Sequence, residues 1–315
     1  MTFAKIVATG SFLPATVVTN ADLEQRLDTS DEWIAQRTGI RSRHIASDGD
    51  NAVTMGVKAA RQALVRSGWQ PADIELIIVA TCTPEQMFPA TACLIQRELD
   101  IPACMAFDIS AACSGFIYAL HIAQQFIASG QIKRALVLGS EAMSKALDWN
   151  DRSTCVLFGD GAGAVLLEAA DQPGILASKI VADGQHKDLL YLNNARMATD
   201  SSLRMQGNSI FKLAVNALGE IAESTIAQAK LTAEDIDWII PHQANLRIIQ
   251  ATAKKLGISM DKVIVTVSEH ANTSGASIPL ALDVAISDGR VKPGQNLLLE
   301  AFGGGLTWGA VLVKY

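Results

Sequence analysis

The stretch ISAACSGF at residues 109–116 decides how the rest of the chain is interpreted. An apolar run typical of a β-strand precedes it, and apolar side chains recur at helical spacing after it until Ser129. Cys113 therefore lies at the first turn of a predicted buried helix. Free main-chain N–H groups and the positive end of the helix dipole point towards that position. We expect this setting to stabilise a thiolate, so that Cys113 is a nucleophile near neutral pH.

Buried packing is the alternative interpretation of this cysteine, because most free cysteines in proteins only pack. Small neighbours and the strand-to-helix junction favour the nucleophile for Cys113. The remaining cysteines lack such a setting and are interpreted as packing residues: Cys82, Cys93, Cys104 and Cys155. An odd number of cysteines at irregular spacing predicts neither a disulfide framework nor a zinc site.

Length and charge exclude several classes of protein. The chain has 315 residues, 49% of them hydrophobic, which is enough for a large buried core in one or two domains. Its net charge of −6 argues against a nucleic-acid partner. The start does not read as a signal sequence, and no apolar run reaches membrane-spanning length. We expect a soluble, cytoplasmic protein without a membrane partner.

Strands alternate with helices along the chain, as in a mostly parallel α/β sheet, and the pattern repeats. Four blocks recur in the same order: QPADIELII (70–78) with TAEDIDWII (232–240), CSG (113–115) with TSG (273–275), SGQIK (129–133) with DGRVK (288–292), and GAVLL (163–167) with GAVLV (309–313). The sequence therefore predicts two copies of one α/β unit, residues 1–172 and 173–315. We expect them to pack about a pseudo-twofold axis as one body.

The repeat brings two distant residues towards Cys113. Asn272 matches Ala112, next to the cysteine, and His242 directly follows a predicted strand, at the end where α/β sheets bind ligands. A neutral histidine and an asparagine are two uncharged donors, which suit an enolate oxygen formed from a thioester. Taken singly, His242 could be an ordinary loop histidine and Asn272 a helix N-cap.

Two further patterns carry candidate binding groups. The loop FGGGLTW (302–308) follows a predicted strand, and the N–H of Gly304 with that of Cys113 would form an oxyanion hole; a tight turn is the alternative. Arg247 and Lys254 share a helix face that could receive an acidic or phosphorylated partner, or simply be solvated. The run FGDGAGA (158–164) precedes a strand rather than a helix, so it predicts a close backbone crossing and not a dinucleotide site.

These motifs resemble the β-ketoacyl-acyl-carrier-protein synthase III family over the whole chain. The residues that carry the resemblance are TSDEWIAQRTGI (29–40), AACSGF (111–116), PHQAN (241–245), HANTSGAS (270–277) and FGGGLTWG (302–309). The resemblance implies the thiolase fold, with two duplicated halves packed in five layers. It also implies a homodimer that begins bacterial type II fatty-acid synthesis with acetyl-CoA as a substrate and no cofactor.

The resemblance implies a mechanism for the candidate residues. Cys113 takes an acetyl group from acetyl-CoA while the amides of Cys113 and Gly304 bind the oxyanion. His242 and Asn272 then stabilise the enolate formed when malonyl-acyl-carrier protein loses carbon dioxide, and this carbanion attacks the acetyl-enzyme to give acetoacetyl-carrier protein.

The resemblance also implies binding roles. Trp33 and Arg152 would sandwich the adenine of CoA, and the basic residues near Arg247 would meet the acidic carrier protein. Phe88 would reach the acyl pocket of a partner subunit and favour short, straight acyl groups. The substrate passage would be lined by Thr29, Arg37, Asn208, Phe211, Asn245 and Phe302, and the carrier-protein group would be Arg247, Lys254 and Lys255.

Rival classes fit the sequence less well. A degradative thiolase needs a second cysteine in the C-terminal glycine loop, and no cysteine follows Cys155. A papain-like protease would carry its cysteine near the N-terminus of a secreted, disulfide-bonded chain. A silent binding subunit would have lost Cys113. A condensing enzyme of secondary metabolism with another acyl-CoA starter remains the open alternative.

Overall fold

The computed structural model describes residues 2–194 and 200–315. The strands are β1 (Phe3–Phe12), β2 (Thr16–Thr19), β3 (Ser42–Ile45), β4 (Leu76–Ala80), β5 (Met105–Ile109), β6 (Arg134–Ala142), β7 (Asp160–Ala170), β8 (Ile175–Ala182), β9 (Leu190–Tyr191), β10 (Arg204–Met205), β11 (Trp238–Pro241), β12 (Asn296–Gly303) and β13 (Thr307–Lys314). The helices are α1 (Asn20–Glu24), α2 (Asp31–Thr38), α3 (Ala52–Ser67), α4 (Thr91–Glu98), α5 (Gly115–Ala128), α6 (Gly207–Gln228), α7 (Leu246–Lys255), α8 (Val267–His270) and α9 (Ser277–Ser287).

Two large sheets share one strand order. The first runs β1-β7-β6-β4-β5, and the second runs β8-β13-β12-β11. In the first sheet β1 pairs with β7 and β7 with β6, both antiparallel, and β6 pairs with β4 in parallel. In the second sheet β8 pairs with β13 and β13 with β12, both antiparallel, and β12 pairs with β11 in parallel. The place of β5 is taken in the second sheet by an isolated parallel bridge from Ile239 to Val263. The sheets thus follow the sequence repeat. The predicted boundary between residues 172 and 173 lies between β7 and β8 and stays a prediction.

Helices and sheets alternate in five layers. Helix α3 packs on the outer face of the first sheet, against β1, β6 and β7. Helices α5 and α9 lie between the sheets, since α5 contacts β4 and β6 on one side and β8 and β13 on the other. Helix α6 covers the outer face of the second sheet. Within residues 2–194 and 200–315, no helix combines the length and apolar character needed to cross a membrane.

Local sequence explains why the central helices form where they do. The apolar positions predicted for α5, namely Phe116, Leu120, Ala123 and Ile127, are all fully buried. The predicted amphipathic helix at 51–68 is confirmed as α3, which Asn51 caps through the N–H of Thr54 and which ends at the left-handed Gly68.

The glycine-rich run at residues 158–164, which extends into β7, is a close crossing, as predicted. A Cβ on Gly163 would lie 2.6 Å from the Cβ of Pro279 and 2.8 Å from the main-chain nitrogen of Leu280, both in α9. No side chain fits between the strand and this helix, so glycine lets the inner layer approach the first sheet.

The structure corrects one detail of the repeat. A short 3₁₀ turn, Ala112–Ser114, leads into α5, and the corresponding turn Ser274–Ala276 leads into α9. Each begins with a residue in the left-handed region, φ 45° at Ala112 and 49° at Ser274. Cys113 therefore corresponds to Gly275, and the match of CSG with TSG was wrong by two residues. The backbone conformation, rather than the shared Ser-Gly letters, sets the equivalence.

Candidate active site

One cavity brings the three predicted catalytic side chains together. It has a volume of about 490 Å³, and its lining includes Cys113, His242 and Asn272. Cys113 precedes α5 and His242 directly follows β11, so the cavity lies where the carboxyl ends of the strands meet the central helices. Four further predicted residues line it: Phe211, Asn245, Phe302 and Gly304.

Cys113 is a buried thiol whose environment opposes ionisation. Its exposed fraction is 7%, and burial raises its pKa to about 12, helped by the charge of Glu141 and opposed by a hydrogen bond with Ser274. The expected stabilised thiolate near neutral pH is therefore not what this environment favours, because the loss of solvation outweighs the hydrogen bond. Cys113 must give up its proton as it reacts.

His242 is held as a neutral ring. Its main-chain N–H donates to the carbonyl of Glu300 at 2.8 Å, and Nδ1 lies 2.6 Å from the hydroxyl of Ser277 on α9. Burial lowers its pKa to about 3, so the imidazole is uncharged at physiological pH. Since Nδ1 is engaged by Ser277, a ligand in the cavity would meet Nε2.

Asn272 is fixed on three sides. Its main-chain N–H donates to Leu157, its carbonyl accepts from Gly159, and Oδ1 accepts from the N–H of Ser274 at 2.8 Å. The side-chain oxygen therefore serves the turn before α9, which is a capping-type contact. The amide nitrogen Nδ2 remains as the donor for a ligand.

The glycine loop lies directly against the turn that carries Cys113. A Cβ on Gly303 would lie 2.7 Å from the nitrogen of Cys113 and 3.1 Å from that of Ser114. The hydroxyl of Ser114 donates to that of Thr307 at 2.6 Å, and Thr307 in turn donates to the carbonyl of Gly304. This packing supports a shared oxyanion hole of Cys113 and Gly304, whose role stays a prediction.

An aromatic and basic cluster lies beside the cavity. The guanidinium carbon of Arg37 lies 4.7 Å from the ring centre of Trp33, and that of Arg152 lies 5.3 Å from it. An adenine stacked between the Trp33 ring and the Arg152 guanidinium needs about 7 Å between them, because it makes a contact of ~3.5 Å on each face. Arg152, which also bonds to Asp28, would therefore have to move for the predicted sandwich to form. Asn245 donates to the carbonyl of Arg37 at 3.0 Å and joins this cluster to the cavity.

The other predicted binding residues lie outside the cavity lining. Arg247 is exposed, with its guanidinium carbon 5.7 Å from the ring of Phe211. Lys254 is exposed, whereas Lys255 bonds to Asn216 on α6 and is partly engaged. Three more lie away from the lining: Thr29, Asn208 and Phe88, which is 86% exposed.

Sequence reasoning missed part of the site. Cys82 lines the cavity and is not merely a packing residue, and its thiol contacts Glu141 at 3.1 Å. Its place two residues after the end of β4 was the available signal, because the carboxyl ends of parallel strands carry ligand sites. Ser277 lies inside the motif HANTSGAS, where the sequence assigned it no role. Glu141 is the one charged residue among the buried positions of β6. Among the described residues, no cluster of His, Cys, Asp and Glu suits a metal ion.

Comparisons with known proteins identify relatives of the whole chain. Models for 3-oxoacyl-[acyl-carrier-protein] synthase III and for its C-terminal part match residues 107–184 and 226–315. The chain is 54% identical to the β-ketoacyl-[acyl-carrier-protein] synthase III of Methylococcus capsulatus, with 99% of each chain covered.

Solved structures extend the likeness. The 3-oxoacyl-[acyl-carrier-protein] synthase III of Aquifex aeolicus superposes with a TM-score of 0.96 at 50% identity, covering 99% of this chain and 100% of that one. The priming β-ketosynthase of the R1128 polyketide pathway gives 0.95 at 36% identity, covering 99% and 96%.

Fold and site together define a condensing enzyme of the thiolase fold that transfers acyl groups, which confirms the expected fold class. More narrowly, the chain belongs to the 3-oxoacyl-[acyl-carrier-protein] synthase III family.

Proposed function

We propose that this enzyme condenses acetyl-CoA with malonyl-acyl-carrier protein to acetoacetyl-acyl-carrier protein and so initiates type II fatty-acid synthesis. The observation that carries the proposal is the shared cavity of Cys113, His242 and Asn272. It offers one nucleophile and two uncharged donors, and it needs no resident cofactor.

The first half-reaction loads the enzyme. The sulfur of Cys113 attacks the thioester carbon of acetyl-CoA, and the N–H groups of Cys113 and Gly304 bind the oxyanion. The carbon–sulfur bond to CoA breaks, and the thiol proton of Cys113 leaves with the CoA thiol. An acetyl thioester remains on Cys113.

The second half-reaction forms the new carbon–carbon bond. Malonyl-carrier protein loses carbon dioxide, and the electron pair of the broken bond becomes a thioester enolate. Nε2 of His242 and Nδ2 of Asn272 donate to the enolate oxygen, where a negatively charged side chain would repel it. The enolate carbon attacks the acetyl group, and Cys113 is released and takes a proton from solvent.

The substrate reaches Cys113 through a passage between the cavity and the cluster around Trp33. Arg152 moves away from Trp33 to widen the gap between them, and the two side chains then hold the adenine on its two faces. The pantetheine arm passes the remaining predicted residues. These are Thr29, Arg37, Asn208, Phe211, Asn245 and Phe302, of which Phe211, Asn245 and Phe302 line the cavity.

The partners follow the same reasoning. An acidic carrier protein docks at Arg247, supported by Lys254 and Lys255, all three exposed on α7. The working form is a cytoplasmic homodimer in which the exposed Phe88 closes the partner's acyl pocket. Residues 1–172 and 173–315 are its two duplicated halves.

Trapping of the acyl-enzyme tests the nucleophile. Wild-type protein incubated with radiolabelled acetyl-CoA should retain label, whereas Cys113→Ala should retain none, because the thioester needs that sulfur. Equal labelling of the two proteins would end the assignment.

The enolate role is tested by separating the two half-reactions. Asn272→Ala should keep acetyl transfer to Cys113 but lose malonyl-carrier-protein decarboxylation by roughly a hundredfold, the effect of one oriented donor. Unchanged condensation would contradict the role.

A condensing enzyme with another starter is the second candidate, and the likeness to the R1128 priming ketosynthase favours it. Mass spectrometry of the intact protein after exposure to mixed acyl-CoAs distinguishes the two. We expect an acetyl adduct on Cys113, because the bulky Phe88 of the partner restricts the pocket; equal loading of branched acyl groups would favour the second candidate.

A further inference from the structure

Glu141 is a fully buried carboxylate at the carboxyl end of β6, between the two halves. Oε2 accepts from the N–H of Cys82 at 3.0 Å and from the hydroxyls of Thr81 and Thr83. Oε1 accepts from the N–H of Gly275 at 3.4 Å and from the thiol of Cys82 at 3.1 Å. None of the ion pairs among the described residues includes Glu141. Burial raises the pKa of Glu141, and these hydrogen-bond donors oppose the rise because they stabilise the carboxylate form.

The duplicated fold shows what stands opposite Glu141. Leu76 of β4 pairs with Ala135 of β6, and the repeat equates this pair with Trp238 of β11 and Leu297 of β12. Counting the same number of residues along β6 and β12 brings Glu141 to the position of Gly303.

The two positions face equivalent turns. Gly303 lies against the N–H of Cys113, and Glu141 accepts from the N–H of Gly275, the counterpart of Cys113. One turn therefore faces a glycine and the cavity, where a substrate oxyanion can bind. The other turn holds an anion that belongs to the chain itself.

The anchored turn also orients Asn272. Its first residue, Ser274, donates its N–H to Oδ1 of Asn272 at 2.8 Å, and its second residue, Gly275, is bound to Glu141. The hydroxyl of Ser274 lies 3.6 Å from the sulfur of Cys82, which Glu141 also holds. A shift of Glu141 would move the turn and with it the carboxamide of Asn272.

We propose that Glu141 is a positioning residue for the enolate-binding side of the site. Its carboxylate fills the counterpart of the oxyanion hole and fixes the turn that points Nδ2 of Asn272 at the substrate. This inference rests on the proposed function, because it assigns Asn272 to the decarboxylation step.

Glu141→Gln tests the inference. Each carboxylate oxygen accepts a main-chain N–H, so the –NH2 of glutamine faces a donor in either orientation. Malonyl-carrier-protein decarboxylation should fall roughly tenfold or more, while acetylation of Cys113 by labelled acetyl-CoA changes less than about threefold. Equal losses in both half-reactions, or no loss in either, would overturn the proposal.

A double variant separates positioning from general destabilisation. If Glu141 acts through Asn272, then adding Glu141→Gln to Asn272→Ala should lower decarboxylation no further than Asn272→Ala alone. Multiplied losses would overturn the positioning role. Should Glu141→Gln fail to fold, Glu141→Asp keeps the charge on a shorter arm, and it must show the same selective loss for the proposal to stand.

Glu75→Gln is the matched control. Glu75 also accepts two main-chain N–H groups, from Lys133 and Arg134, but it precedes β4 at the end opposite the site. Both half-reactions should be unchanged in this variant; if it reproduced the selective loss, the proposal would fail. A wild-type protein that never decarboxylates malonyl-carrier protein would instead defeat the proposed function itself.

Discussion

The turn before α5 and the turn before α9 have the same backbone but opposite chemical content. Both begin in the left-handed region and lead into a central helix. The first carries Cys113, the proposed nucleophile, and faces Gly303, whereas the second carries Gly275 and faces the carboxyl group of Glu141. The equivalent residues, first half before second, are Ala80 and His242, Cys113 and Gly275, Gly115 and Ser277, Leu138 and Glu300, and Glu141 and Gly303.

These pairs show how a duplicated fold yields one asymmetric site. In the first half a Cβ on Gly115 would lie 3.0 Å from Cβ of Ala80, so small residues pack there. In the second half the same contact is the hydrogen bond between Ser277 and His242. Each half thus supplies what the other lacks: the first supplies the sulfur of Cys113, and the second supplies the uncharged side chains of His242 and Asn272. The proposed oxyanion hole takes one N–H from each half, that of Cys113 and that of Gly304.

A side chain added at Gly303, next to the proposed oxyanion hole, should have the largest effect on acetylation. Gly303→Ala places a Cβ 2.7 Å from the nitrogen of Cys113, so the backbone must shift and the N–H groups proposed as oxyanion donors lose their alignment. We expect acetylation of Cys113 to fall by about 10²–10³-fold, the range for a lost oxyanion donor. The rate of label transfer from acetyl-CoA measures it.

Gly49→Ala is the control for that substitution, because no atom lies within 4 Å of the added Cβ. It should leave acetylation unchanged. If Gly303→Ala acetylated as fast as wild type, the two turns would not differ in the way described.

A change of pH should have the next largest effect, which we expect on the rate at which Cys113 is alkylated. With a pKa of about 12, the thiolate fraction rises about tenfold per pH unit throughout the neutral range. Iodoacetamide labelling of Cys113, followed by mass spectrometry, should therefore accelerate from pH 6 to pH 9 without a plateau. A plateau below pH 8 would mean that the helix terminus overcomes burial, as the sequence alone suggested.

Removing the partner of His242 should have a smaller effect. Ser277→Ala frees Nδ1, so the ring can rotate and Nε2 is no longer fixed as a donor. Decarboxylation should fall roughly tenfold with acetyl transfer retained, since this loss is comparable to that of other orienting partners.

Wild type supplies the pH control for this prediction. Because the pKa of His242 is about 3, its decarboxylation step should show no histidine titration between pH 5.5 and 8. An acid limb near pH 6.5 would show that the ring charges in solution and that the buried geometry is not maintained.

Much of this architecture could be predicted from the sequence. Repeated blocks located equivalent strands. Local pattern placed Cys113 at the first turn of a helix and His242 at the end of a strand. The register of the two turns could not be predicted, since it is set by the backbone angles of Ala112 and Ser274 and not by their letters.

Contacts between the halves account for the other misses. Glu141 touches Gly275 from the other half, and no local pattern shows which buried carboxylate will meet a distant N–H. For Cys113, the sequence and the structure favour different ionisation states for a related reason. Helix position is readable from sequence, but the depth of burial that outweighs it depends on the whole fold.

The equivalent pair of Leu138 and Glu300 concerns stability rather than catalysis. Leu138 is buried and apolar, but its counterpart Glu300 is a carboxyl group at 1% exposure whose Oε2 has no hydrogen-bond partner among the described residues. Burial raises its pKa from 4.5 to about 8. The folded state therefore keeps a proton that the unfolded chain releases between these values, and stability falls as pH rises through them.

Glu300→Gln should remove this dependence, because the amide is never charged. Below pH 4.5 the substitution should give no advantage, and above pH 8 it should raise the free energy of unfolding by an amount on the order of a few kcal/mol. Thermal melts of both proteins at pH 5 and pH 9 measure the difference, and Glu300→Leu, which copies Leu138, should show the same trend. An identical pH dependence in wild type, Glu300→Gln and Glu300→Leu would mean that water reaches Glu300. The side chains of Leu138 in β6 and Glu300 in β12 would then differ in size and not in charge.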